Sequence, residues 1–236
     1  MTVRVRVAVA ATMVCATVLV TAGANETNGA YTPQAALGLL KAGNDRFVRN
    51  ASVPVSLSVN RRQELAAGQR PVAMVLSCAD SRVPPEHVFN AGLGELFVIR
   101  TAGEVVDKSI LATLEYGAEQ LNTPLLVVMG HESCGAVTAA AKAKDDATST
   151  NMAYLLKAIR TARRQPREER EEIKDLVLAN VEQVINDAMA GSPVLQRLVD
   201  TGRLGVVGAY YELVSGRVMF SELVRSDSSA PRSERR

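Results

Sequence analysis

Residues 72–82 read VAMVLSCADSR. An apolar run ends abruptly on Cys78, Asp80 and Arg82, one at every second position. A run of this length without polar alternation is the pattern of a strand buried on both faces. The pattern recurs on either side of a helix. ELFVIRTAG (95–103) is a second run and PLLVVMGH (124–131) a third. Between them, DKSILATLEYGAEQL (107–121) places Ile110, Leu111, Leu114, Ala118 and Leu121 at helical spacing. SCGAVTAAAKAK (133–144) starts a helix directly after the third run, with Ser133 as its expected cap. Strands alternating with helices predict an α/β fold, a mainly parallel central sheet flanked by helices. Right-handed crossovers then put the C-terminal ends of the strands on one edge. That edge is where open sheets of this kind bind ligands.

The flanks extend the same plan. PQAALGLLKAGNDRFVRN (33–50) reads as a helix, with Ala35, Leu39 and Leu40 on one face and Gly43-Asn44 as a stop signal. SVPVSLSV and the polar segment to Gln69 read as loop and short helix. EEIKDLVLANVEQVINDAMAG (171–191) repeats apolar residues at Ile173, Leu176, Val177, Val181, Val184 and Ile185. Gly191 ends that helix, and Ser192-Pro193 opens another. RLGVVGAYYEL and GRVMFSE flank Val214-Ser215-Gly216, a hairpin signal. No repeat or linker interrupts residues 25–225, which are expected to form one domain. Residues 226–236 are Ser, Arg, Asp and Pro rich and are expected to be a disordered tail.

The first residues follow a different logic. Arg4 and Arg6 precede an apolar stretch from Val7 to about Val20, and Ala22-Gly23-Ala24 closes it. That is the basic, apolar, small-x-small layout of a signal peptide, with cleavage expected after Ala24. An uncleaved anchor is the alternative, but the stretch is short for a span and carries several Thr. Cys15 does not make a lipoprotein site, because the chain stays apolar well past it. A periplasmic or secreted protein, free of the membrane after cleavage, is therefore expected. Its mature chain would carry 25 basic and 25 acidic residues. A balanced charge gives no field for a polyanion. Aromatics at 4% and the absence of Trp argue against a stacking surface for nucleic acid.

The chemistry concentrates at two strand ends. The first carries Cys78, Asp80 and Arg82. The third carries His131 and Cys134, three residues apart across a strand-to-helix turn. On one sheet edge, Cys78 can meet His131 and Cys134. Two thiolates and an imidazole form a ligand set expected for zinc. A helix beginning near Ser133 adds a positive dipole end that favours the Cys134 thiolate. Three protein ligands leave a fourth position for water, whose pKa a catalytic zinc lowers to about 7. Asp80 can fill that position as a ligand, or accept a hydrogen bond from the bound water. Arg82 is spaced to pair with Asp80 and draw it from the metal. A Cys78–Cys134 disulfide is the competing reading in an exported protein. It accounts for the thiols but not for His131, Asp80 and Arg82 beside them.

SCADSRVPPE followed some fifty residues later by GHESCGAV resembles the β-class carbonic anhydrases, whose signature is Cys-x-Asp-x-Arg then His-x-x-Cys. The resemblance runs from about Pro33 to Glu222. It takes in ALGLLKAGNDRF, GLGELFVIRTAGEVV, LEYGAEQL and LGVVGAYYELVSGRV. It implies a Zn2+ enzyme that interconverts CO2 and bicarbonate by attack of zinc-bound hydroxide. Cys78, His131 and Cys134 would be protein ligands and Asp80 with Arg82 the catalytic dyad, with Asp80 still open as a fourth metal ligand. It also implies four parallel strands with an added edge strand, and a homodimer or tetramer whose N-terminal helices wrap the neighbour. Two departures stand out. Some members use a Trp just before the first Cys for a second, inhibitory bicarbonate site, and none is present here. Glu104 stands where many relatives have Asn. His87, the only other histidine, is a candidate proton shuttle but is better suited to a structural or interface role. Glu86 and Glu132 are expected to be solvated. The alternatives are turnover of carbonyl sulfide or carbon disulfide at the same metal, a non-catalytic bicarbonate or zinc-binding module, and a disulfide-stapled binding domain.

Overall fold

The computed structural model describes residues 31–143, 150–159 and 169–224. The expected signal peptide and the expected tail lie outside these residues. Five strands form one sheet: β1 (Ala73–Cys78), β2 (Leu96–Thr101), β3 (Leu125–His131), β4 (Gly205–Tyr211) and β5 (Val218–Phe220). Their order is β2-β1-β3-β4-β5. The first four are parallel, and β5 returns antiparallel to β4. β1, β3 and β4 are buried along their whole length. Their unbroken apolar runs reflect burial on both faces.

The two faces have different cover. Ala73, Val75, Leu125, Val127 and Val207 pack under Leu37 and Leu40 of α1 (Pro33–Val48) and beside Val88 of α3 (Pro85–Val88). Met74, Leu76, Leu126, Val128 and Val206 face Leu114 of α4 (Lys108–Glu115), Val181 and Val184 of α7 (Glu169–Gly191), and Leu195 and Leu198 of α8 (Pro193–Asp200). α2 (Val59–Ala66) buries none of its residues, whereas α5 (Gly135–Lys142) and α6 (Thr150–Ile159) close over the C-terminal edge with Val137, Leu156 and Ile159. Among the described residues no helix is long and apolar enough to cross a membrane. The α/β architecture expected from the alternation is the one observed.

Three local expectations need correction. α1 does not stop at Gly43-Asn44 but runs on to Val48. The pair serves packing instead. A Cβ on Gly43 would lie 1.9 Å from the Phe89 carbonyl oxygen, so only glycine lets α1 approach α3 this closely. Buried Asn44 donates to the Val88 and Gly216 carbonyls (3.2 and 2.8 Å) and accepts from the Val218 amide (2.9 Å). It joins helix, loop and β5. Second, the helix after β2 ends as α4 at Glu115 and continues through a wider π turn, Tyr116–Gln120. There Gly117 passes so close to β1 that a Cβ would meet the Met74 sulfur at 2.6 Å. Third, Ser133 is not the cap of α5. It sits in the left-handed region (φ 55°), and Cys134 occupies the N-cap position.

Gly43→Ala separates a packing glycine from a helix stop. Helix propensity alone favours Ala by about 1 kcal/mol. Overpacking against a backbone carbonyl costs about 3 kcal/mol. The substitution is expected to lower Tm by roughly 4–8 °C in a thermal melt. A Tm unchanged or raised would contradict the close approach.

Candidate metal centre

β1 and β3 are parallel neighbours, with Ser77 opposite Met129. Their ends therefore deliver Cys78 and His131 to the same edge. After His131 the chain turns sharply through left-handed Ser133 into α5, and this turn brings Cys134 back beneath the edge. The ligand atoms of Cys78, His131 and Cys134 all lie within 4.8 Å of one another, and all three residues are buried. Both cysteines are free, with sulfurs 3.9 Å apart. Two sulfurs each about 2.3 Å from a tetrahedral metal stand roughly 3.8 Å apart, so the spacing suits a shared ion.

The histidine is oriented for the same point. Its Nδ1 lies 2.9 Å from the Glu132 carbonyl oxygen. A carbonyl only accepts, so Nδ1 carries the proton and Nε2 presents its lone pair. Nε2 is buried without a hydrogen-bond partner. A buried polar atom left in this way is costly unless something absent from the protein chain engages it. The donor set and the orphaned nitrogen together fit a zinc-type ion.

The electrostatics of the three groups differ. The Cys134 thiol hydrogen-bonds Cys78 and holds the Cys78 thiol low, at about 4, against the opposing effect of burial. The Gly103 amide adds a donor to the Cys78 sulfur at 3.4 Å. The same thiol pairing, with burial, pushes Cys134 up. Burial works against charge on His131, but Cys78, the Glu132 carbonyl and Asp80 together raise the imidazole. A second buried thiolate would need a nearby cation to offset its charge.

Asp80 stands at the rim. Arg82 grips it with both side-chain branches, Nε to Oδ1 at 2.9 Å and Nη2 to Oδ2 at 2.7 Å, and the Arg82 amide adds a third bond at 2.9 Å. The Arg82 side chain holds the Asp80 carboxyl well below the usual carboxylate range. Asp80 Oδ2 lies 3.8 Å from His131 Nε2, and the carboxylate is outside the three-donor cluster. Arg82 Nη2 also reaches the Ser133 carbonyl at 3.4 Å, linking the two strand ends.

Other expected residues take different places. His87 and Glu86 are exposed on α3. Glu132 is not simply solvated. It is half-buried and accepts the Leu213 amide at 3.0 Å. Three further residues bear on the site from outside the two ligand motifs. Arg100 at the end of β2 donates to the carbonyls of Cys78 (3.0 Å) and Asp80 (2.5 Å) and fixes the strand end. Glu104 is fully buried in the 3-10 turn Ala102–Glu104, and burial pushes its carboxyl up to about 8. Asn180 of α7 donates to it at 3.0 Å. The one trace of Asn180 in the sequence is a polar residue inside the apolar stripe of Leu176, Val177, Val181 and Val184.

Comparison with known proteins agrees with this centre. The family model for carbonic anhydrase matches residues 73–218, which spans every site residue named above. Carbonic anhydrase 2 of Mycobacterium tuberculosis is 39% identical over 196 residues, covering 80% of this chain and 93% of the relative. Among solved structures, the Coccomyxa β-carbonic anhydrase in complex with acetazolamide superposes with a TM-score of 0.65 at 28% identity, over 70% of this chain and 78% of that one. A tetrameric β-carbonic anhydrase of Sordaria macrospora shares the fold at a TM-score of 0.62 and 24% identity, over 67% and 84%. A strand-end cluster of this composition, in a chain this similar along most of its length, makes the protein a member of the β-class carbonic anhydrases, enzymes of CO2 hydration.

Proposed function

We propose that the protein is a zinc enzyme that reversibly hydrates CO2 to bicarbonate and a proton, with Cys78, His131 and Cys134 as the protein ligands. The observation that carries this reading is the convergence of two buried sulfurs on the unpartnered Nε2 of His131. When bound, zinc supplies a Lewis acid that lowers the pKa of water to about 7. The chain's own residues do the rest. Asp80 accepts a hydrogen bond from the attacking water at Oδ2 and aims its remaining lone pair at CO2. Arg82 keeps Asp80 in that role, because a carboxylate held by two guanidinium branches is not free to close the fourth position. Arg100 anchors the backbone on either side of Ala79, so the dyad and Cys78 move as one unit.

The same proposal covers assembly and address. Leu57 and Val59, beside and at the start of α2, and Leu93 are exposed apolar side chains that a homo-oligomer would cover. The Sordaria tetramer supports it by analogy of fold. The layout of residues 1–24 supports export and cleavage.

Cys134→Ala tests the ligand set. Zinc is expected to fall from near one per chain to near none, with CO2 hydration in stopped flow reduced to background. Full zinc and full activity would sink the proposal. Asp80→Asn tests the dyad separately. Zinc should stay bound while kcat falls by about 100-fold. A rate near that of the parent would remove Asp80 from the mechanism, and loss of zinc would make it a ligand.

A further inference from the structure

One buried network beside the centre has no part in the chemistry above. Gly103 and Glu104 are two consecutive residues in the left-handed region, at φ 66° and 46°. For Glu104 this conformation is costly, on the order of 1–2 kcal/mol. Such strain persists only where the surroundings impose it. Here Asn180 imposes it. Its Nδ2 donates to the Gly103 carbonyl at 2.9 Å and to Glu104 Oε1 at 3.0 Å. Both side chains are buried, Glu104 at 0% exposure and Asn180 at 1%. Space for the carboxyl comes from Gly130, immediately before His131, where a Cβ would lie 3.3 Å from Glu104 Oε1. A fully buried carboxyl with Oε2 unpartnered is expensive to keep for packing alone.

The product of this arrangement is one aimed donor. The turn directs the Gly103 amide at the Cys78 sulfur, 3.4 Å away. A hydrogen bond to a thiolate withdraws charge from it, weakens its donation to a bound metal, and leaves the metal a stronger Lewis acid. We propose that Asn180 and Glu104 are positioning residues for the reaction: by clamping the left-handed Gly103–Glu104 turn from α7, they hold the Gly103 N–H on the Cys78 sulfur and so tune the metal. The proposal rests on Cys78 being a metal ligand.

Asn180→Leu keeps the branched shape and removes both N–H donors, whereas Glu104→Gln keeps an acceptor for Asn180. Each is loaded with cobalt(II), and the sulfur-to-cobalt charge-transfer band is recorded with the pH profile of kcat/KM. In Asn180→Leu the band should move to longer wavelength and the rising limb of the profile should move to higher pH. Glu104→Gln should keep the parent's band. A purely structural role would lower Tm in Asn180→Leu while leaving band and limb in place, and that result overturns the proposal. If Asn180→Leu does not fold, 15N-labelled parent protein loaded with 113Cd decides. Through-bond coupling between cadmium and the Gly103 amide supports the proposal, and its absence overturns it. A parent protein with no sulfur-to-cobalt band would instead overturn the ligand assignment itself.

Discussion

The centre depends on Cys78 and Cys134 meeting with their sulfurs 3.9 Å apart and both side chains buried. Two thiolates cannot share a buried site unaided, because like charges out of water repel strongly. Their shared hydrogen bond moves the two thiols in opposite directions, Cys78 down and, with burial, Cys134 up. A divalent cation would offset that repulsion and give His131 Nε2 the partner it otherwise lacks.

Everything around the pair serves to fix it. Parallel pairing of β1 and β3 puts two donors on one edge, and the left-handed turn at Ser133 returns the third. Arg82 and Arg100 divide the work at the end of β1. Arg82 takes the carboxylate of Asp80, and Arg100 takes the carbonyls on either side of Ala79. On the opposite flank α7 reaches over β3 through Val177, Val181 and Asn180. The helix that covers the core therefore also supports the turn beside Cys78.

The sheet and the three-donor cluster were legible in the sequence because each rests on a local signal. Unbroken apolar runs marked β1, β2 and β3 to within about two residues, and the polar strand ends marked the edge. Other features were hidden because their meaning is tertiary. Gly43-Asn44 has the composition of a helix stop, yet its role is set by Phe89, Val88 and Gly216, far along the chain. Ser133 has the composition of a cap, but the geometry that turns Cys134 inward places it one residue too early. Glu104 and Asn180 are 76 residues apart and meet only in the folded protein.

The proposed enzyme requires Cys78, His131 and Cys134 to hold a single zinc whose fourth position is open to water while Arg82 retains Asp80. X-ray absorption at the zinc edge, on the intact protein at neutral pH, tests it most directly. The account predicts two sulfur neighbours at about 2.3 Å and two nitrogen or oxygen neighbours at about 2.0–2.1 Å. In Arg82→Ala, with Asp80 released, the light-atom shell should change while the two sulfurs remain. A shell with one sulfur or none in the parent protein would contradict the account.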